Sequence, residues 1–175
     1  GKIPRAEKAK KVVKDLSEQV FRDKTALLAL TLLKSYDNYL FNHSVNVSVL
    51  SLALAETIKV PKQDLEVIGL AGLLHDIGKT MIPKSIILKP YKLTPEEWQM
   101  VKEHPIKSAE IVSKMEGVSE LCARLVYEHH INYNRQGYPQ LEEGRQVHPY
   151  SKIITIADCY DAITTLRPYQ KPFPP

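Results

Sequence analysis

The sequence predicts an all-α protein. Apolar residues return at helical spacing in one segment after another, proline and capping residues stand where helices would begin, and the alternating patterns that mark strands are scarce. With 175 residues, 43% hydrophobic and 25% charged, the chain is long enough for one domain with its own core. No apolar run approaches the roughly eighteen residues that would span a bilayer, and no signal-peptide pattern opens the chain, so a cytoplasmic protein is expected. Cys122 and Cys159 fall far apart in predicted helices and read as buried thiols rather than as a disulfide. The net charge of +4 does not point to DNA. Lys2, Arg5, Lys8, Lys10, Lys11 and Lys14 against Glu7 give the first 14 residues +5, which leaves −1 for the rest.

The first element is expected over residues 5–33, as one helix or as two joined near 22–25, with Val12, Val13, Leu16, Val20, Leu27 and Leu30 at helical spacing. Its first half is polar on most faces and reads as outside the core. Residues 1–35 are therefore expected to form a helical linker or a homodimerisation segment, and residues 36–175 the domain proper. A second helix over 39–58 places Val45, Val49, Leu52 and Ala53 on one side and His43 near its start. Pro61 opens the next helix, 63–74, which is apolar or small on nearly every side and so belongs in the interior. It delivers His75 and Asp76 at its end, with Gly78 and Lys79 in the turn that follows. Residues 80–93 read as loop with a short extended piece.

Thr94, Pro95 and Glu97 form a start signal of N-cap, first-turn proline and capping box, for a helix reaching about residue 102. Pro105 biases His104 away from helical geometry and opens a helix over 106–114. A helix over 119–130 carries Leu121, Leu125 and Val126 as its stripe and His129-His130 at its end. Residues 131–147 lack an apolar period and contain the turn signal Gly137-Tyr138-Pro139. The last helix, 150–166, is expected to turn Ile153, Ile156, Ala157, Tyr160 and Ile163 inward, with Asp158 and Asp161 in its span, before a proline-rich end.

Five of the six histidines, His43, His75, His104, His129 and His130, thus stand at helix ends or just outside them, accompanied by Asp76 and Asp158. Imidazole and carboxylate without thiolate suit iron, manganese, nickel or zinc in a site with open positions, rather than a closed structural zinc. Adjacent ligands on a helix diverge by about 100°, so His75-Asp76 and His129-His130 suit two ions better than one. Asp76 is the natural bridge, holding the ions roughly 3.5–4 Å apart as in two-metal phosphoryl-transfer sites.

His75-Asp76-Ile77-Gly78-Lys79, Glu103-His104-Pro105, His129-His130 with Gly137-Tyr138-Pro139, Ile156-Ala157-Asp158 to Asp161-Ala162, and Arg167-Pro168-Tyr169 resemble, in order and spacing, the HD-GYP branch of the HD phosphohydrolase superfamily. The likeness covers about 36–171. It implies an HD-type helical bundle with a dinuclear metal site between helices, commonly iron or manganese, that hydrolyses cyclic di-GMP to linear pGpG and/or GMP. It also implies metal ligation by His43, His75, Asp76, His104, His129, His130 and Asp158. Lys79 would lie beside the scissile phosphate, working with Asp76, and Gly137, Tyr138, Arg167 and Lys171 would meet the nucleotide. Asp161 is expected to be structural.

The chain departs from the family pattern in three places. An acid usually follows the histidine pair, with Asp-Gly three residues on; here Ile131, Asn134 and Arg135 stand there. Tyr39 replaces the glutamate that accompanies a third metal, so two ions are expected. The chain also ends soon after the Arg-Pro-Tyr element, which reads as a truncated C-terminus. The loop departures keep two further readings open: a module that binds metal and nucleotide and signals to a partner such as a diguanylate cyclase domain, or a phosphodiesterase for another cyclic dinucleotide.

Overall fold

The computed structural model describes residues 6–31 and 39–164, with side chains described for 6–20, 22 and 41–164. Among these residues the protein is all-α, with an isolated bridge between Ile131 and Gly137. In chain order the helices are α1 (Glu7–Thr31), α2 (Tyr39–Thr57), α3 (Lys62–Leu74), α4 (Lys84–Ile87), α5 (Pro95–Lys102), α6 (His104–Ser113), α7 (Glu120–Glu128) and α8 (Pro149–Thr164), with a 3₁₀ turn at Ile77–Met81. None of the described helices is long and apolar enough to cross a membrane.

α3 is the centre of the fold, as its composition requires. It buries Leu65, Ile68, Leu70, Ala71 and Leu74 and touches α1, α2, α7 and α8. Its glycines let α2 approach closely: Gly72 lies against the backbone of Ser48, and Ser48 Oγ donates to the Gly69 carbonyl at 2.8 Å. That crossing brings the start of α2 and the end of α3 to one place. α2 ends in a Schellman motif, with Val60 N donating to Ala55 O and Lys59 N to Glu56 O, and Lys59 in the left-handed region at φ 61°.

The structure departs from the expected one at five places, the fifth being Cys159, which is exposed and not buried. The first half of α1 is not outside the core: Ala6, Val13 and Val20 are buried, and Ala9 and Leu16 pack against the core between them. A stripe of two residues in seven is narrow, so the rest of the circumference stays solvated and the segment reads as polar. His104 is helical rather than excluded from helix. It is the first residue of α6, joined to α5 through Glu103 alone, and Pro105 falls in the first turn, where its missing N–H costs no bond. Residues 80–93 are not all loop: after a short extended piece at Ile82 and Pro83 they form the one-turn α4. On α8 Ile153 and Ala157 face inward as expected, but Ile156, Tyr160 and Ile163 are exposed, and Ser151, Ile154, Asp158 and Asp161 take their place on the inward face. Cys159 shares the exposed face, whereas Cys122 is buried and its thiol is pushed up to about 12 by that burial. The capping box forms as expected: Thr94 Oγ1 accepts from Glu97 N at 3.2 Å, and Glu97 Oε2 from Thr94 N at 2.8 Å.

Candidate metal centre

The fold brings all seven expected ligands into one buried centre. They form two groups in which the ligand atoms lie within 4.8 Å of one another: His43, His75 and Asp158, and Asp76, His104, His129 and His130. Each comes from a helix end, or from the inward face of α8.

Asp76 stands between the groups. Its Oδ2 is 3.3 Å from His75 Nε2 and 3.6 Å from His43 Nε2, while its Oδ1 is 3.1 Å from His104 Nε2. Asp158 spans them similarly, with Oδ1 3.1 Å from His43 Nε2 and Oδ2 3.8 Å from His130 Nδ1. Lys79 Nζ donates to Asp76 Oδ2 at 2.6 Å.

The outer nitrogens fix the rings. His75, His104 and His129 each place Nδ1 within 2.8, 2.7 and 2.6 Å of the carbonyl three residues earlier, at Gly72, Val101 and Val126. A carbonyl only accepts, so each Nδ1 carries the proton and each Nε2 turns a lone pair inward. Those lone pairs converge: His104 Nε2 is 3.3 Å from His129 Nε2, and His75 Nε2 and Asp76 Oδ1 are buried without a hydrogen-bond partner. Acceptors packed against acceptors repel unless a cation lies among them, so this donor set fits bound metal.

The protonation equilibria agree. Burial, followed by the charges of His130, His75 and His104, holds His129 well below its ordinary value. Burial likewise brings His130 down to about 4. His43 moves the other way. Burial opposes its charged form, but hydrogen bonds to Asp158 and Asp161 outweigh that and push it up to about 9. Asp76 and Asp158 are held below the usual carboxylate range: burial opposes ionisation, and neighbouring imidazoles, with Lys79 for Asp76, prevail.

Gly78 sets the approach of the 3₁₀ turn to α6. A Cβ there would collide with the His104 carbonyl and the Ser108 backbone, and Gly78 N donates to Ser108 Oγ at 2.7 Å. Any side chain at 78 would push Asp76 and Lys79 away from His104.

The family model of the HD domain matches residues 28–175. The chain belongs to the HD domain family. Its relatives lie in the HD-GYP branch. The sequence is 39% identical to a cyclic di-GMP phosphodiesterase of Pseudomonas aeruginosa, over 93% of this chain and 39% of that protein. It is 34% identical to a 3′3′-cGAMP-specific phosphodiesterase of Vibrio cholerae, over 78% and 29%. The chain thus spans about two-fifths of the length of the first of these curated relatives and less of the second. Its fold is that of the HDG"Y"P protein of Bdellovibrio bacteriovorus, with a TM-score of 0.78 at 24% identity, over 91% of this chain and 52% of that one.

In this HD domain the Gly-Tyr-Pro turn and the histidine pair form one unit. Tyr138 N donates to the His130 carbonyl at 3.2 Å. Gly137 has φ 110°, and a Cβ there would strike that same carbonyl oxygen. The Tyr138 ring lies 4.8 Å from that of His130. The altered loop still closes: Ile131 is buried, Asn132 N donates to Gln136 O at 2.7 Å, and Arg135 takes the left-handed turn position at φ 63°. Arg167 and Lys171 lie outside the described residues.

Sequence reasoning missed what holds the ligands. Asp161 Oδ2 is 2.6 Å from His43 Nδ1. Glu128, fully buried, accepts from Arg124 Nε at 2.8 Å, His148 N at 2.7 Å and Ser151 Oγ at 2.8 Å, which ties the end of α7 to the start of α8. The available signal was a charged residue interrupting the apolar face of α7, three positions after Leu125.

Proposed function

We propose that this HD domain is the catalytic part of a metal-dependent phosphodiesterase that hydrolyses cyclic di-GMP to linear pGpG and/or GMP in bacterial second-messenger signalling. The observation that carries it is Asp76, with one oxygen facing His43 and His75 and the other facing His104. In this reading His43, His75 and Asp158 hold one divalent ion, His104, His129 and His130 hold a second, and Asp76 is shared. Iron or manganese suits a nitrogen and oxygen donor set without thiolate, with nickel or zinc next. Two such ions, when bound, supply activated water and stabilise charge on phosphate oxygens.

The chain's own residues do the rest. The Nδ1 to carbonyl bonds keep three imidazoles in the ligating tautomer and orientation. Water oxygen attacks phosphorus and releases a proton to solvent, the bond to the 3′ oxygen breaks, and that oxygen takes a proton. Lys79 Nζ, within reach of Asp76, is placed to donate it and to hold a negative phosphate oxygen. Tyr138 keeps its phenol proton, because burial pushes its pKa up, so it meets the nucleotide as a neutral group. Closure of the loop around Ile131, Asn134 and Arg135 favours the enzyme over a binding module.

The test is anaerobic purification with metal analysis, then chromatography of products from cyclic di-GMP and 3′3′-cGAMP with iron or manganese present. About two metals per chain and a linear product, both lost in His75→Ala, are expected. Metal without turnover of either dinucleotide would make the domain a binding module. Absence of metal would overturn the site.

A further inference from the structure

We propose that Trp98 is a substrate-binding residue, whose indole stacks on a purine base of the dinucleotide while the phosphodiester lies over Asp76 and His130. This rests on the reading under Proposed function, since it takes a base-bearing phosphodiester as substrate.

The placement of α5 motivates it. This helix buries only Val101, so it adds little to the core, yet its N-terminal turn is fixed twice. The capping box closes over Thr94 and Glu97, and Lys89 Nζ reaches both Glu97 carboxylate oxygens at 2.8 and 2.7 Å. The next residue is Trp98, which is 43% exposed. A rigid mount for a half-exposed indole is poorly explained by core packing, because the exposed ring surface contributes no burial.

Trp98 is joined to the metal centre by a line of rings. The His130 ring is 4.8 Å from that of Tyr138, and Tyr138 is 6.0 Å from Trp98 in an edge-on contact at 80°. Tyr138 also lies 6.1 Å from His104. Two ring steps therefore lead from a ligand histidine to an accessible aromatic face, about a nucleoside's length from the reacting phosphate. Lys102 Nζ lies over the Trp98 ring, 6.0 Å from its centroid, which puts a cation on one face of the indole and leaves the base the other. An aromatic surface flanked by a cation is what a base and its neighbouring phosphate require. Tyr138, packed between the histidines and Trp98, is less open to a base. Stacking tolerates different bases, so Trp98 would serve cyclic di-GMP and 3′3′-cGAMP alike.

Trp98 is the only tryptophan in the chain, so its emission reports the contact directly. The experiment pairs stopped-flow tryptophan fluorescence of the metal-loaded protein mixed with cyclic di-GMP with steady-state kinetics of wild type, Trp98→Ala and Trp98→Phe. A saturable emission change is expected. Trp98→Ala should raise KM by roughly tenfold or more, with kcat within about twofold and metal content unchanged, while Trp98→Phe stays near wild type. If wild type turns over but Trp98→Ala keeps its KM, or loses kcat or metal instead, Trp98 is a prop for Tyr138 and the inference is overturned. Failure of the underlying reading looks different. Metal-loaded wild type would form no linear product; a saturable emission change would then still support the base contact, and its absence would overturn both.

Discussion

Asp161 and His43 are 118 positions apart in sequence and 2.6 Å apart in space, Oδ2 to Nδ1, with the other Asp161 oxygen accepting from Asn46 Nδ2 at 2.8 Å. A carboxylate on the outer nitrogen fixes the ring and strengthens Nε2 as a donor, and loss of such a partner typically lowers metal affinity about 10–100-fold. Asp161→Asn keeps the shape and removes the charge. It should weaken metal binding by that factor while circular dichroism stays unchanged, as read by competition with a chelator. Wild-type affinity in this variant would show that Asp161 is only a packing residue.

Metal loading should be pH-dependent through His43. In the metal-free chain its pKa is about 9, raised from 6.5. Charged His43 therefore stabilises the metal-free fold fully below pH 6.5, and that contribution is lost as pH rises through about 9. Metal needs the neutral ring, so affinity should change the opposite way, rising about tenfold per pH unit across the same interval and levelling above it. Calorimetry in buffers of different ionisation enthalpy should show proton release on metal addition at pH 8. Proton uptake, or no exchange, would contradict the assignment of His43.

Much of the centre was legible in the sequence, because its ligands sit where helices end. The apolar run of α3 had to be buried, and His75 and Asp76 follow it directly. Thr94, Pro95 and Glu97 announced α5 from local chemistry alone. What local pattern could not supply was long-range pairing: Asp161 acts on α2, and Glu128 acts on α8. The inward face of α8 was misread in part for a related reason. That face meets the ligand histidines and Glu128, so burial there selects Asp158, Asp161 and Ser151, while Ile156, Tyr160 and Ile163 are left outside. In α1 the misreading ran the other way, since Val13 and Val20 show helical spacing in a stripe narrow enough that the lysines around it made the segment read as solvated.

Glu128 should matter to stability as well as to the site. All three of its partners donate, so either orientation of an amide at this position sets a donor against a donor. Leaving a buried group unpaired costs about 1–3 kcal/mol. Glu128→Gln should lower the unfolding free energy by that amount in urea, with metal-free protein compared so that lost metal does not inflate the difference. Ser151→Ala, which removes one partner, should cost about 1 kcal/mol. If Glu128→Gln is neutral, the tie between α7 and α8 does not set the histidine pair.

Arg135 shows what the altered loop costs. It is exposed and holds φ 63°, closing the turn in which its own N–H donates to Asn132 O at 2.9 Å. A left-handed conformation costs a residue with a side chain roughly 1–2 kcal/mol, and glycine escapes this. Part of that gain is offset by the greater freedom of glycine in the unfolded chain. Arg135→Gly should therefore stabilise the domain by about 1 kcal/mol in chemical denaturation. Because Gly137 and Tyr138 are anchored independently on the His130 carbonyl, kcat for the dinucleotide should stay within about twofold. A large loss of activity would instead assign the Arg135 side chain a part in binding the substrate.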